Sequence, residues 1–290
     1  MTARKIDHLV LPVGDLARAR ERLSSLGFTV APDGHHPFGT ANACIFLEDG
    51  TYLEPLALTD RRKAGAAVKR GNVFIERDLA YRGRRGRQGL SAIVVSSDDA
   101  ASDHQHYIAS GISGGEPLEF ARAVKSPDGE ETEGRFRLAF AAMNGAPDFF
   151  AFACQRVVSF PQDMGGLRTH ENAVSGLKEV VLASDDPHAS SSFFENLLGT
   201  SGNEVEGGLA FQTEAGRVRV LGGEQIAHEF GVSGDAAIGG LTGQAVIFRS
   251  LDLAVTEIIL AANDVAFIRR DGRVLVLPSP GQGVLFGFEE

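Results

Sequence analysis

One short pattern occurs four times along the chain and limits what it can fold into: an apolar strand, a tight turn, and an aspartate that opens a helix. The copies are Ile6 to Asp15 (IDHLVLPVGD), Leu90 to Asp99 (LSAIVVSSDD), Leu177 to Asp186 (LKEVVLASDD) and Gly243 to Asp252 (GQAVIFRSLD). The carboxylate of each closing Asp can accept from the first free N–H groups of the helix that follows. Pro187 falls at a first helical position, where its missing N–H costs nothing. Gly27, Gly111 and Gly199 close three of the helices in the manner of a left-handed cap. A repeat of this kind has to be recognised before any local reading, because it sets the architecture.

After each helix come alternating or apolar runs that read as strands: Asn42 to Leu47 and Thr51 to Leu58, Phe136 to Met143 and Phe149 to Cys154, Leu209 to Thr213 and Arg217 to Leu221, then Val265 to Arg269, Val274 to Leu277 and Val284 to Phe288. Each repeat is therefore a βαβββ unit. A single unit leaves one face of its sheet uncovered and needs a second to complete a core. Consecutive pairing of four units predicts an α+β protein with two domains, 1–155 and 174–290, each a curved mixed sheet, joined by a linker over 156–173 that carries Pro161, Gly165 and Gly166. Two facing units enclose a cleft walled by the inward residues of their first and last strands.

The 290 residues suit two domains with a core each. A formal net charge of −10 leaves no cationic surplus for a polyphosphate, so nucleic acid is not the expected partner. The basic run Arg82, Arg84, Arg85 and Arg87 lies in a glycine-bearing stretch and reads as a solvated loop. Cys44 and Cys154 sit in apolar runs as small hydrophobes, so neither a disulfide framework nor a cysteine metal cluster is expected. The sequence enters a strand pattern directly after Met-Thr-Ala-Arg-Lys, and no apolar run approaches membrane-spanning length. A cytoplasmic protein with no membrane partner is the expectation.

The run His36-Pro37-Phe38-Gly39-Thr40-Ala41-Asn42, followed by Asp49-Gly50-Thr51-Tyr52-Leu53-Glu54, resembles a bacterial glyoxalase-like domain family within the vicinal-oxygen-chelate superfamily, which includes glyoxalase I, extradiol dioxygenases and bleomycin-resistance proteins. Cys154-Gln155 and His170-Glu171-Asn172 are similar to the segment that joins the two halves of such proteins. The resemblance implies paired βαβββ units and a divalent ion (zinc, nickel, manganese or iron) held by the first and last strands of each unit, in a lyase, isomerase or dioxygenase. Carried over, it places His8 and Glu54 as ligands from the first unit. It places Ala92 and approximately Ala151 at the matching positions of the second, where neither can coordinate. Catalytic sites of this type need about three protein ligands, so His36, Asn42 or a group on the substrate are the further candidates, with His170 and Asn172 of the linker more remote. In the second domain the same positions read Glu179, Arg219, Ala245 and Gly287. Glu179 opposite Arg219 is an ion pair, not a chelate. That half is expected to support the first or to form a homodimer.

His8 lies in an apolar strand, where a hydrogen-bonded core histidine is the packing alternative. Glu54 is costly to bury without a partner, which favours a functional pair. Without metal the two still form a proton-transfer pair in which Glu54 holds the imidazole and His8 moves the proton. His36 and Asn42 are expected at the cleft mouth as substrate-binding groups, or as turn formers. Alternation puts Phe150 and Phe152 in the core and Phe149 with Ala151 on the cleft side. Two functions follow: an enzyme acting on a small oxygenated organic compound through His8 and Glu54, with or without a metal, or a protein that binds and sequesters a small molecule without turnover. No nucleophile elbow, phosphate loop, dinucleotide fingerprint or zinc helix is present.

Overall fold

The apolar opening strand of each repeat is buried on both faces, which places it in the middle of a sheet. The computed structural model of the chain describes residues 3–125, 131–158, 165–232 and 240–290. Its first half runs β1 (Ile6–Val13), α1 (Leu16–Ser25), β2 (Gly34–His35), β3 (Thr40–Asn42), β4 (Ile45–Phe46), β5 (Tyr52–Leu58), α2 (Arg61–Val68), α3 (Val73–Arg85), β6 (Ala92–Ser97), α4 (Ala100–Ala109), β7 (Leu118–Lys125), β8 (Glu131–Ala141) and β9 (Phe150–Arg156). The second half runs β10 (Val174–Ala183), α5 (Ser191–Leu198), β11 (Asn203–Val205), β12 (Gly208–Gln212), β13 (Arg217–Leu221), α6 (Gly223–Phe230), β14 (Thr242–Ser250), α7 (Leu253–Ala262), β15 (Ile268–Arg270), β16 (Arg273–Val276) and β17 (Leu285–Glu289). All four repeats close with the expected cap: Asp15 accepts from the Arg18 N–H, Asp99 from Ala101 and Ser102, Asp186 from Ala189 and Asp252 from Ala254 and Val255.

The two halves form two curved mixed sheets of the same design. The first is ordered β2, β3, β5, β1, β6, β9, β8, β7, with β4 paired to β5; the second is ordered β11, β12, β13, β10, β14, β17, β16, β15. In each, two opening strands lie antiparallel at the centre, β1 with β6 and β10 with β14, and each has its unit's closing strand parallel on its outer side. This is the paired-unit architecture read from the repeat. Pro161 of the expected linker lies outside the described residues, and Arg156 belongs to β9.

Of the run read as a basic loop, Arg82, Arg84 and Arg85 lie on α3, and Arg87 follows its end. Asn72 caps α3 by accepting from Ile75 N–H, and Val73, Phe74, Ile75, Asp78 and Tyr81 face inward. Arg82 donates to the Asp78 carboxylate at 2.7 Å and to the backbone oxygens of Val13 and Leu56. The burial of one helix face outweighs the weak propensity of a stretch containing Gly83. With α2, this helix covers the cleft face of the first sheet, where Ala64, Ala67, Phe74 and Ile75 pack on Val10, Leu56, Val94 and Phe152. In the second sheet α6 does the same with Ile226 and Phe230.

The opposite faces of both sheets, bearing α1, α4, α5 and α7, merge into one core. Phe28 from the first half stacks among Phe248, Phe286 and Phe288 of the second, with ring centres 5.1 to 6.2 Å apart. Asn172 is fully buried at this junction. Its amide donates to Leu26 O at 2.8 Å, its side-chain oxygen accepts from Val174 N–H, and its backbone oxygen accepts from Thr256 Oγ1. Gly27, at φ +84°, passes so close that an added Cβ would fall 2.8 Å from that of Asn172. Replacing Asn172 with Ala strands two buried backbone groups, each worth about 1–3 kcal/mol when unsatisfied. We expect Asn172→Ala to lower the unfolding free energy by about 2 kcal/mol or more in urea denaturation; an unchanged midpoint would show that the junction does not depend on this amide.

Candidate functional site

His8 enters the first cleft through an irregularity in its strand. The β1–β6 register runs Val10↔Ala92, Leu9↔Ile93 and His8↔Val94, then slips so that Ile6 pairs with Val95. The extra residue is Asp7, and a bulge of this kind breaks the alternation of faces. Asp7 and His8 therefore meet instead of pointing apart: His8 Nδ1 lies 2.5 Å from Asp7 Oδ1. Arg156, at the end of β9, clamps the same carboxylate with Nη1 at 2.5 Å and Nη2 at 2.6 Å. Burial alone would raise the pKa of Asp7, but the His8 hydrogen bond and the Arg156 charge outweigh it and hold the carboxyl below its ordinary range. With Asp7 ionised, Nδ1 of His8 donates its proton to that carboxylate, and Nε2 of the ring faces the cleft. Tyr52 stacks on the imidazole at 4.3 Å and Phe152 meets it edge-on at 5.7 Å.

Glu54, on β5, faces this nitrogen, with its Oε2 3.6 Å from His8 Nε2. Its Oε1 accepts from Asn42 Nδ2 at 2.5 Å and lies 3.7 Å from His36 Nε2. His36 is fixed by a 3.0 Å contact between Nδ1 and Thr40 Oγ1, in a turn closed by His36 N–H to Thr40 O. Burial, reinforced by the Arg122 guanidinium and by His8, pushes the pKa of His36 down to about 3. The structure thus brings His8, Glu54, His36 and Asn42 together, all buried. It reverses one role: Asp7, not Glu54, orients the imidazole, and Glu54 is oriented by Asn42. Burial raises the thiol pKa of both Cys44 and Cys154 far above the usual range, so neither is a nucleophile.

Around these groups lies a cavity walled by Phe38, Phe74, Phe120, Phe136, Phe152 and Leu138, with Arg122 at its side. The cavity is small, about 30 Å³ in volume. Phe149 is not in it. That ring is buried with Ala151 and Ala153 on the helix-bearing face, while Phe150, Phe152 and Cys154 form the cleft row. The cause is a one-residue shift in the closing strand: Val10 pairs with Glu54 and Val94 with Phe152, so Phe152, not Ala151, is the counterpart of Glu54. Asn172 and His170 are structural. Thr29 N–H donates to His170 Nδ1 at 3.1 Å, which leaves the proton on Nε2 to donate to Phe46 O at 3.0 Å.

A divalent ion in this cleft would have to draw on His8, His36 and Glu54. His8 addresses one oxygen of Glu54 and His36 the other, which Asn42 already occupies. Among the described residues no three His, Cys, Asp or Glu side chains converge as a metal-holding group. The permanently protonated guanidinium of Arg122 borders the same space. As placed, these residues do not fit a resident cation. In the second cleft, Arg219 donates to Glu179 at 2.6 Å and to Glu229, and Arg217 also holds Glu179. This is the ion pair expected from the sequence, extended into a network.

A family model described as a glyoxalase-like domain matches residues 6–198, which contain every residue of the first cleft. The chain belongs to the glyoxalase-like domain family. With it comes membership of the vicinal-oxygen-chelate superfamily. Among solved structures, a hypothetical protein from Staphylococcus aureus is similar at a TM-score of 0.68 and 14% identity, covering 98% of each chain. A variant of 4-hydroxymandelate synthase from Streptomyces coelicolor is similar at 0.60 and 13%, over 99% of this chain and 92% of that one. A Mn(II)-bound glyoxalase from Novosphingobium aromaticivorans is similar at 0.55 and 10%, over 99% and 82%. No curated protein matches the chain by sequence. At these identities the likeness is one of fold. None of the helices among the described residues is long and apolar enough to cross a membrane.

Asp7, Arg156, Tyr52 and Arg122 were not singled out by the sequence reading. Asp7 beside His8 was visible as a neighbour, but alternation sends neighbours to opposite faces. Two outcomes follow from the geometry. Asp7→Asn leaves Arg156 facing a neutral amide in a largely buried place, and we expect a loss of about 3 kcal/mol in unfolding free energy; a loss under about 0.5 kcal/mol would mean the clamp is not structural. His36 has a folded pKa of about 3 against 6.5 for the free side chain. Below pH 6.5 the unfolded chain takes up a proton that the folded one refuses, so stability falls as pH drops, by up to about 1.4 kcal/mol per unit. Between pH 6 and 4.5, above the range where Asp7 titrates, His36→Gln should show a shallower decline than the parent chain in urea denaturation. Parallel curves would mean that His36 is not held neutral.

Proposed function

We propose that the first cleft transfers a proton on a small oxygenated organic compound, with His8 as the base and no resident metal required. The observation that supports this is the orientation of one ring: an ionised and clamped Asp7 holds Nδ1–H, so Nε2 faces the cavity opposite Glu54. The substrate's C–H beside a carbonyl gives its proton to Nε2. The imidazolium so formed lies between two carboxylates, Asp7 on one nitrogen and Glu54 facing the other, which stabilises it as it forms. The proton then returns to the neighbouring carbon or oxygen. His36, neutral at pH 7, is a hydrogen-bonding group for the carbonyl oxygen. The phenylalanine walls exclude water, so these charges act in a medium of low polarity.

A second reading is binding without turnover. It is favoured by the replacement of two inward positions by Ala92 and Phe152, which turns half of the cleft apolar. The two readings separate in deuterated water. With a panel of small 2-oxo acids and α-hydroxy ketones, followed by proton NMR, the parent chain should exchange the acidic C–H of at least one compound. His8→Asn should slow that exchange by about 100-fold or more. Binding without exchange would support sequestration, and equal exchange by His8→Asn would remove His8 from the chemistry. One equivalent of a divalent ion in protein purified without chelator would overturn the metal-free form of the proposal.

A further inference from the structure

The first cleft holds a cation that the proton-transfer reading does not use. Arg122 lies on β7 in the row that faces the cavity, next to Phe120, which pairs with Phe136 across the hairpin. The outward row of the same hairpin carries the charge pairs expected of a wet face, Arg137 with Glu119 at 3.0 Å and Arg135 with Glu133 at 3.4 Å. Arg122 has no such partner among the described residues. Among the described residues its contacts are the face of Phe136, 5.5 Å from the guanidinium carbon, and a 3.5 Å approach of Nη1 to Ala123 O. Arg156, the other arginine near His8, is bound by both nitrogens to Asp7.

The position is made for this side chain by the fold. β2 and β7 are the two ends of the first sheet's strand order, and the curvature of the sheet brings them together. Arg122 sits across that seam, over Gly34 of β2: a Cβ on Gly34 would fall 2.7 Å from Arg122 Nη1 and 2.5 Å from Asn42 Oδ1. Only a residue without a side chain leaves room for the guanidinium beside the amide that holds Glu54. Its charge also acts within the cavity, since it contributes to keeping His36 neutral.

We propose that Arg122 anchors a carboxylate on the ligand of the first cleft, so that this cleft takes small organic acids with an aryl or similarly flat apolar body. The proposal rests on the reading of this cleft as the ligand site and adds the class of compound. A guanidinium presents a planar fork of donors that matches a carboxylate bidentately, and pairs of this kind strengthen where water is excluded. The anion would approach Arg122 and stay clear of Glu54, which fixes the direction in which the compound lies. The apolar body is accommodated by rings already in mutual contact: Phe38 and Phe120 at 5.1 Å, Phe38 and Phe74 at 5.7 Å, Phe74 and Phe152 at 5.9 Å. Since little of the cavity is open, entry requires these rings to part. β7 is the wall that can yield, because it is an edge strand paired to β8 alone.

Phenylacetate and its neutral isostere phenylacetamide are suitable probes, measured by isothermal titration calorimetry on the full chain. The parent should prefer the acid by about tenfold or more, the range of one charge-assisted pair. Arg122→Met should abolish the preference while leaving amide binding within about twofold, and Arg122→Lys should keep part of it; circular dichroism melting confirms that each variant folds. Glu54→Gln, which removes a repelling charge from the same cavity, should strengthen the preference for the acid. Equal binding of acid and amide by the parent, retention of the preference in Arg122→Met, or no acid binding up to about 10 mM would each overturn the proposal. These readouts involve no turnover. If His8→Asn exchanges protons as fast as the parent while Arg122→Met loses the acid preference, the catalytic reading fails and the anion site stands.

Discussion

The site depends on one buried carboxylate. Asp7 is buried, and such a group is tolerated only when it is paired and hydrogen-bonded. Arg156 and His8 supply both, from the far end of β9 and from the next residue in β1. The pairing joins the closing strand of the second unit to the opening strand of the first, so the two units cannot separate without exposing an unpaired charge pair. The same contact fixes the tautomer and tilt of His8. Stability of the paired sheet and orientation of the His8 imidazole are therefore consequences of one interaction, and a change at Asp7 acts on both.

The bulge that makes this possible recurs where the fold repeats. In the second sheet the β10–β14 register slips between Leu177 and Glu179, at the position that corresponds to Asp7. There the extra residue is Lys178, which pairs with Glu289 at 3.0 Å. The backbone device is thus shared, while the charges are inverted. A register slip of this kind is set by strand pairing and leaves no mark in the local pattern, so alternation sends Asp7 to the wrong face.

Much of the fold was legible because it depends on local chemistry stated four times. The Asp caps, the proline at a helix start and the apolar opening strands each follow from a side chain's nearest neighbours. The helices α2 and α3 were not legible, since Gly65, Gly71, Gly83 and Gly86 with the arginines between them suit a loop equally well; tertiary burial of Phe74 and Ile75 decides the matter. That omission hid the main fact about the cleft, which is that a helix pair narrows it. The exchange of Phe149 for Phe152 has a different origin. Ala139, Ala141, Ala151 and Ala153 form a row of small side chains on which Tyr107 and Ala100 of α4 pack, and small residues are what a helix needs to approach a sheet closely. Read that way, the alanine row marks the helix side and the phenylalanine row the cleft.

The two clefts share a backbone and differ in what their charges are bound to. In the second, Glu179, Arg217, Arg219, Glu229, Arg273 and Glu289 neutralise one another through contacts of 2.5 to 2.9 Å, and Phe230 closes the face beneath Arg273. A network whose members are paired stiffens a core but has no charge left over for a ligand. In the first, pairing stops short of completion. Asp7 and Arg156 are neutralised, which leaves the Nε2 of His8, the Oε2 of Glu54 and the guanidinium of Arg122 facing a space walled by aromatic rings. Holding such groups away from water is costly, and the cost is repaid only when something of complementary charge enters. That contrast between a saturated cleft and an unsaturated one, within a single duplicated scaffold, is the physical reason the proposed ligand site lies in the first half of the chain.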